Sequence, residues 1–227
     1  MNYAFATAPH APTHHPPEEL LLDLATGAAS ASEALMLKTH LAFCPPCRDA
    51  VRVLEDAGGA LLNALEPVSL PPNMLNRALR AIEQSEGAAP APEPPSVGSV
   101  IGANLASTAW RKVPGGLRMR RVDAGSGAPR ANLGRTESGR VWLFEAPAKM
   151  KMFQHRHVGD EWTVVLSGEF HDGGERYKAG DFVWLPDGHR HQPVMGADAP
   201  CVGLILVRDS PLYTSVVGKI AAPFIRL

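Results

Sequence analysis

The sequence predicts an α + β protein with two unlike parts, a small N-terminal helical bundle and a C-terminal antiparallel β-barrel. Three observations lead to this fold class. Apolar residues recur at helical spacing in the first 84 residues, short β-type runs broken by turn residues follow residue 138, and a segment rich in Ala and Pro lies between. We therefore divide the 227 residues into a helical domain at 1–86, a linker at 87–98 and a barrel domain at 99–227.

The first two helices are defined by their end signals. The stretch "PPEELLLDLATG" stops at Gly27, which is a suitable C-cap. Ser30 and Glu33 then form a predicted capping box for the second helix. The apolar positions of that helix include Ala34, Leu37 and Leu41.

The third and fourth helices are amphipathic. The third begins within "CPPC", because proline is tolerated in a first helical turn. Its predicted apolar stripe consists of Val51, Leu54, Leu61 and Leu65. The fourth runs from about Pro72 to Gln84, with a polar side formed by Arg77, Arg80 and Glu83. Its apolar side, which is larger than so short a helix needs, carries Leu75, Leu79 and Ile82.

The linker and the barrel are predicted from residue composition and from the spacing of short β-type runs. "EGAAPAPEPPSVG" has no apolar periodicity and indicates a semi-rigid extended tether, so the helical domain is expected to fold without contacts from the barrel. Short runs without intervening helices are typical of an antiparallel barrel or sandwich. The predicted strands lie in "GRVWLFEAP", "KMFQHRH", "EWTVVLSGEFHD", "DFVWLP" and "CVGLILV".

Composition excludes several classes of function. A net charge of −1 and a pI near 6.8 give no basic field for phosphate backbones, so no direct nucleic-acid binding is expected. The N-terminal stretch lacks a basic and an apolar region, and no run of eighteen apolar residues occurs, which predicts a soluble cytoplasmic protein without membrane contact. Three cysteines without an export signal make a disulfide framework improbable and favour metal or redox chemistry for a close pair.

One candidate metal site lies in "LKTHLAFCPPCRDAV". His40 in the last turn of helix two, Cys44 at the junction and Cys47 in the next first turn can converge, and the helix dipole favours their thiolates. A tetrahedral zinc site needs a fourth ligand, for which His10, His14 and His15 are candidates. The alternatives are a redox dithiol, which belongs after a strand rather than a helix, and an incidental reduced pair. We favour structural zinc, because the apolar core of four short helices is small and domains of this kind commonly need a bound metal ion for stability.

A second candidate metal site consists of His155, His157, Glu161 and His191. Alternation along a strand puts His155 and His157 on one face, where a carboxylate on the next strand can meet them. Such a polar cluster is costly to bury unless it binds a metal, and Zn, Fe, Mn or Ni would suit it. The alternative is a set of exposed loop histidines in a metal-free barrel. His171 and His189 are assigned to the surface, with His189 an alternative ligand, and Cys201 is assigned to the core.

Both sites resemble known families. His-x3-Cys-x2-Cys, with a histidine 25 residues upstream of His40, resembles the zinc-binding domain of anti-sigma factors, and this resemblance selects His15 as the fourth ligand. HxH-x3-E-x6-G and G-x5-P-x-G-x2-H resemble the two halves of the cupin motif, with His155, His157, Glu161 and His191 as metal ligands. Two family positions differ, since Lys149 replaces the opening glycine and Met195 the closing asparagine.

A zinc domain followed by a cupin resembles the ChrR-type anti-sigma factors over nearly the whole chain, including the terminal "APFIRL". The resemblance implies a regulator of transcription rather than an enzyme, with zinc in both domains. Its helices would sequester an extracytoplasmic-function sigma factor, and its cupin would control release in an oxidative stress response to singlet oxygen or an organic hydroperoxide. The alternatives are a cupin metalloenzyme, a dioxygenase-like oxidoreductase with an appended zinc domain, and a cupin sensor for a different protein partner.

Overall fold

The computed structural model describes residues 11–84, 96–102, 109–124 and 139–214. His10, most of the segment predicted as a linker and the terminal "APFIRL" lie outside these residues. Residues 96–98 of that segment are described, and Val97 begins a short helix rather than continuing an extended tether.

The helices follow the predicted end signals. Gly27 ends the first with a left-handed φ of 75°, and the Ser30–Glu33 capping box starts the second. Cys44 is the N-cap of the third, which begins with two prolines. The helical segments of the described residues are α1 (Glu18–Thr26), α2 (Ala31–Phe43), α3 (Pro45–Asn63), α4 (Met74–Gln84) and α5 (Val97–Gly102).

The strands form three antiparallel sheets. The bounds are β1 (Arg111–Lys112), β2 (Arg118–Val122), β3 (Arg140–Ala146), β4 (His155–Arg156), β5 (Glu161–Ser167), β6 (Glu169–Asp172), β7 (Glu175–Lys178), β8 (Phe182–Leu185), β9 (Arg190–His191), β10 (Val194–Met195), β11 (Cys201–Val207) and β12 (Leu212–Tyr213). A six-stranded sheet has the order β1-β2-β3-β11-β5-β8, and two three-stranded sheets have the orders β10-β6-β7 and β12-β4-β9.

The predicted fold class is confirmed by this architecture and by the comparisons reported below. Each of the five predicted β-type runs contains a strand. The runs that sequence reasoning missed are short or polar: β2 reads "RMRRV", β7 reads "ERYK", and β1, β9, β10 and β12 have two residues each. Such segments lack the apolar alternation that marks a strand, and pairing with neighbours sets their conformation.

The six-stranded sheet separates two apolar cores. Leu143, Val164 and Leu204 are paired across β3, β11 and β5, and they point to the face covered by α2. Phe144 and Val165, one residue further along their strands, point to the opposite face inside the barrel. The sheet is therefore a single layer shared by the helices and the barrel interior.

Helix α2 packs directly against this sheet. Met36 and Leu37 are fully buried in the same core as Leu143 and Leu204. Each such side chain contributes about 1.5 to 3 kcal/mol of burial free energy. The helical part and the barrel therefore share a core, which an extended tether between independent domains does not imply. That the helical part folds without the barrel stays a prediction.

Polar contacts reinforce this packing. Arg208, which follows β11, donates to Glu33 of α2 (Nη2 to Oε1, 2.7 Å) and to Asp160 (Nε to Oδ1, 2.6 Å). The Ser32 hydroxyl donates to the carbonyl of Gly139 at 2.7 Å. The start of α2 is thus fixed to two barrel strands.

The length and composition of the described helices bear on whether they can cross a bilayer. No single one is both long and apolar enough to cross a membrane, and α1 with α2 satisfies length and composition only as a pair bent by 114°. In this structure the apolar side chains of α2 are buried against the barrel.

Candidate metal centres

The N-terminal cluster brings together His15, His40, Cys44 and Cys47, whose nearest ligand atoms all lie within 4.8 Å of one another. His15 precedes α1, His40 lies in the last turn of α2, Cys44 is at the junction and Cys47 is in the first turn of α3. The site therefore connects three helices at one point, in the arrangement that the spacing predicts.

The separations in this cluster suit a tetrahedral ion. Nε2 of His40 lies 3.4 Å from Sγ of Cys47, and Nδ1 of His15 lies 3.4 Å from both sulfurs. With Zn–S near 2.3 Å and Zn–N near 2.05 Å, tetrahedral geometry puts N and S about 3.5 Å apart. Two sulfurs and two imidazoles could thus hold a metal ion of this kind.

The two adjacent histidines before α1 have different surroundings. His15 faces the cysteines, whereas Nδ1 of His14 lies 3.4 Å from Oδ2 of Asp181 and its ring is 4.6 Å from that of Tyr177. His14 is thus directed to the barrel surface. Of the three upstream candidates, His15 is the one that joins the cluster among the described residues.

The ring of His40 is fixed by the barrel. Its Nδ1–H donates to the carbonyl oxygen of Gly180 at 2.7 Å, which leaves the Nε2 lone pair directed at the cluster. Burial lowers the pKa of His40 to about 4, so the imidazole is neutral at pH 7, as a metal ligand must be.

The Cys47 thiol differs from the expectation drawn from the helix dipole. Burial raises the pKa of Cys47 to about 12, and the hydrogen bond with Cys44 acts in the same direction. For this thiol, burial therefore outweighs the dipole at the start of α3. A bound divalent ion reverses this, because its charge deprotonates a coordinating thiol.

Asp181 supports the same cluster and was missed by sequence reasoning. Its carboxylate, 1% exposed, accepts the N–H groups of Thr13 (2.7 Å), His14 (3.1 Å) and Lys178 (2.8 Å). Burial alone would raise the pKa of Asp181, but these three N–H groups and the His14 ring lower it overall. The chain entering His15 is thus bound to the barrel turn before β8.

Gly180 allows the helices to approach this turn closely. Its φ of +95° is the left-handed conformation that favours glycine, and an added Cβ would lie 2.8 Å from Cγ of Pro12 and 3.1 Å from Cβ of Phe43. The glycine of the second motif half thus lies where the end of α2 and the N-terminal segment meet the barrel.

The barrel cluster consists of His155, His157, Glu161 and His191, all between 3% and 8% exposed. Nε2 of His191 lies 2.9 Å from Nε2 of both His155 and His157, and Glu161 lies 3.1 Å from His157. These four side chains are buried, which excludes the alternative of exposed loop histidines. They too could hold a metal ion.

Strand pairing creates this convergence. His155 in β4 is directly opposite His191 in β9, and Glu161 begins β5. Two neighbours orient the imidazoles, since Nδ1–H of His155 donates to the Phe153 carbonyl (2.8 Å) and Nδ1–H of His191 donates to Asp172 (2.6 Å). Burial lowers the pKa of His155, which keeps that ring neutral.

Asp172 was also missed by sequence reasoning. Burial alone would raise its pKa, but its hydrogen bond with His191 and the charge of that ring lower it. Its signal lies in "EFHDGG", where the exposed His171 implies that Phe170 and Asp172 point inward. His189 lies near Asp172 and His191 as an exposed member of a third group and does not join the buried four.

Comparison with known proteins identifies the family. Residues 100–209 match a family model described as the ChrR cupin-like domain. The chain is 30% identical to the anti-sigma-E factor ChrR of Cereibacter sphaeroides over 221 residues, which cover 94% of this chain and 98% of that protein.

A solved structure agrees over the fold. The crystal structure of Rhodobacter sphaeroides SigE in complex with the anti-sigma ChrR matches with a TM-score of 0.70 and 27% identity, over 87% of this chain and 99% of that one. Both relatives are anti-sigma factors, the class of regulator that the resemblance implies for this chain. The chain therefore belongs to the ChrR family of anti-sigma factors.

Proposed function

We propose that the helical part, residues 1–86, sequesters an extracytoplasmic-function sigma factor in the cytoplasm and that the cupin releases it on an oxidative signal. Sequestration of the sigma factor is supported by an exposed apolar surface between residues 61 and 82, which we call the 61–82 surface. Its side chains, each between 46% and 83% exposed, are Leu61, Leu62, Leu65, Val68, Leu70, Met74, Leu75, Leu79 and Ile82.

This surface exposes more apolar side chains to solvent than an isolated chain is expected to expose. Among the described residues α4 has no buried side chain, and the predicted stripe of α3 is buried at Val51 but exposed at Leu61 and Leu65. Large exposed apolar side chains concentrated in one stretch of chain are typical of a protein interface. A partner that covers both helices would bury it, and the relative in complex with SigE supports a sigma factor in that role.

The N-terminal metal site would fix the direction of this surface. Because its four ligands join α1, α2 and α3 near Cys44, an ion bound there holds α3 at a defined angle to the barrel-bound α2. We propose zinc in this site, since two thiolates and two imidazoles in a closed tetrahedron suit that ion. The zinc would be structural.

Release through the cupin is supported by the shared sheet. One face of the six-stranded sheet lines the barrel interior, and the other packs on α2. A change inside the barrel that shifts β3, β5 or β11 would therefore move the surface on which α2 rests. Such a change favours release only if the two states differ in affinity for the sigma factor. We propose zinc or another divalent transition metal for the barrel cluster.

The test is copurification with a coexpressed extracytoplasmic-function sigma factor of the same host. The full-length chain should retain the sigma factor stoichiometrically, and Leu75→Asp with Leu79→Asp should abolish retention, because each lost anchor of an interface costs about 2 kcal/mol or more. Val53→Asp is the matched control, since Val53 is 66% exposed on α3 but outside the 61–82 surface. Retention by a folded Leu75/Leu79 double variant would contradict the proposal.

A further inference from the structure

A chamber opens inside the barrel beside the His155–Glu161–His191 cluster. It has a cavity volume of about 80 Å³ and opens to solvent on one side. Its walls are almost entirely apolar, with Phe144 and Phe170 among them. At the cluster end, Thr163 and Tyr213 add hydroxyl groups. The chamber thus suits an apolar molecule with one small polar head.

Four methionines face this chamber. They are Met119, Met150, Met152 and Met195, out of seven in the whole chain. Met119 and Met195 are buried, whereas Met150 and Met152 are half-buried. Backbone bonds hold three of them side by side, since Met195 N–H donates to the Met150 carbonyl (2.8 Å) and Met152 N–H donates to the Pro193 carbonyl (2.9 Å).

Packing alone does not require this concentration of sulfur. Leucine fills apolar space as well as methionine does, but only methionine offers a thioether that accepts an oxygen atom. Oxidation turns a flexible apolar side chain into a polar one. A set of thioethers beside one buried polar cluster therefore combines a binding space with an oxygen acceptor.

We propose that the chamber binds an apolar organic hydroperoxide and that its methionines, Met150 and Met152 first, reduce it to the alcohol. This deepens the proposed function, on which its role in regulation rests, because it names the binding space and the side chains that the oxidant modifies. The thioether sulfur attacks the terminal peroxide oxygen, an S–O bond forms and the O–O bond breaks. The hydroperoxide proton passes to the leaving alkoxide, so hydroperoxide plus thioether gives alcohol plus sulfoxide, and sulfur loses two electrons.

The hydroxyls at the cluster end can orient the peroxide. Tyr213 in β12 is directly opposite His155 in β4, and its phenol is a hydrogen-bond donor that lines the chamber. Thr163 contributes a second hydroxyl from β5. A polar head held here places its apolar group along the methionine wall.

A sulfoxide in the chamber would disturb the shared sheet. A sulfoxide oxygen left without a hydrogen-bond donor in an apolar environment is unfavourable. Relief of that cost requires the chamber wall to move. Because Met119 belongs to β2 in the six-stranded sheet, the disturbance reaches the layer on which α2 packs.

The experiment uses the purified full-length protein with its metal and follows the gain of one oxygen atom on each methionine peptide by mass spectrometry. With cumene hydroperoxide, Met150 and Met152 should be oxidised before Met74, which is 46% exposed on α4. Hydrogen peroxide has no apolar group to bury in the chamber, so with this oxidant Met74 should be oxidised before Met150 and Met152. Excess 2-phenyl-2-propanol, the alcohol product, should slow the chamber methionines and leave Met74 unchanged.

Oxidation of Met74 first by both peroxides, or no effect of the alcohol, would overturn the proposal, because exposure alone would then set the order. The paired variant Met150→Leu with Met152→Leu keeps the apolar lining and should keep a preformed sigma complex intact under cumene hydroperoxide. Met74→Leu is its control and should release as wild type does. Release from the paired variant at the wild-type rate would overturn the role of these methionines, whereas failure of wild type to bind any sigma factor would instead count against the proposed function.

Discussion

The imidazole of His40 and the carbonyl of Gly180 are joined by a hydrogen bond of 2.7 Å across 140 residues of sequence. His40 belongs to the N-terminal cluster, and Gly180 precedes β8 of the barrel. The carbonyl selects the imidazole tautomer that directs Nε2 toward the cysteines. The barrel thus orients a candidate ligand of the helical part.

The first prediction concerns Asp181, which binds the same turn to the chain before His15. Asp181→Asn replaces the carboxylate that accepts hydrogen bonds from three backbone N–H groups. We expect this to lower the free energy of unfolding by about 2 kcal/mol. The N-terminal metal should then be lost faster to a chelator, while the barrel metal is lost at the wild-type rate. Metal release monitored by a colorimetric chelator measures both.

Asp187→Asn is the control for that variant. Asp187 is exposed and accepts the N–H of Gly159 (2.9 Å) at a site away from the helices. It should leave release of the N-terminal metal unchanged. Equal rates for the Asp181 variant and wild type would show that Asp181 does not position the chain at His15.

Local patterns explain what the sequence could predict. The Ser30–Glu33 capping box and Gly27 act within a few residues, so their sequence signals determine the helix ends. The cluster of His155, His157 and Glu161 is visible for the same reason. His191 could be added because its own motif half has a fixed spacing.

Contacts between residues far apart in the chain explain the features that the sequence could not predict. Asp181 meets Thr13 and His14 from 167 or more residues away, and no periodicity in either segment marks that contact. The apolar residues of α2 predict a helix but not the surface that covers it. The shared core therefore became visible only in the structure.

Metal content tests the two clusters together. Purified protein should carry close to two ions per chain, and Cys44→Ala with Cys47→Ala should remove one of them, because both sulfurs of the first cluster are lost. Elemental analysis of the purified variants measures this. Cys201→Ala, which alters a buried thiol outside both clusters, is the control and should retain both ions.

Asp172 should tune the barrel metal through His191. Asp172→Asn removes the carboxylate that orients this imidazole, and loss of such a partner typically lowers metal affinity about 10- to 100-fold. Competition with a chelator of known affinity measures the change. His171→Asn, at the exposed neighbouring position, should leave affinity unchanged, and an unaltered Asp172 variant would show that the hydrogen bond is dispensable.

A fragment of residues 1–86 separates partner binding from barrel support. It keeps both the 61–82 surface and the four clustered ligands but loses Gly180, Asp181 and the sheet that buries Met36 and Leu37. We expect it to inhibit a coexpressed sigma factor, yet to release zinc faster than full-length protein when purified alone. An inactive fragment that is well folded would place part of the inhibitory surface on the barrel.

The last prediction separates binding from release. His191→Ala removes an imidazole that contacts both His155 and His157, so the barrel cluster should lose its metal, while the 61–82 surface and the N-terminal cluster stay intact. Inhibition of sigma-dependent transcription should therefore persist without stress, and induction by an organic hydroperoxide should be blunted. Reporter transcription with and without the oxidant measures both, with His189→Ala as the control because His189 is outside the buried four. Since an oxidant can shift the complex only by changing the relative affinity of its bound and released states, a normal response from a metal-free His191 variant would place the sensor outside the barrel cluster.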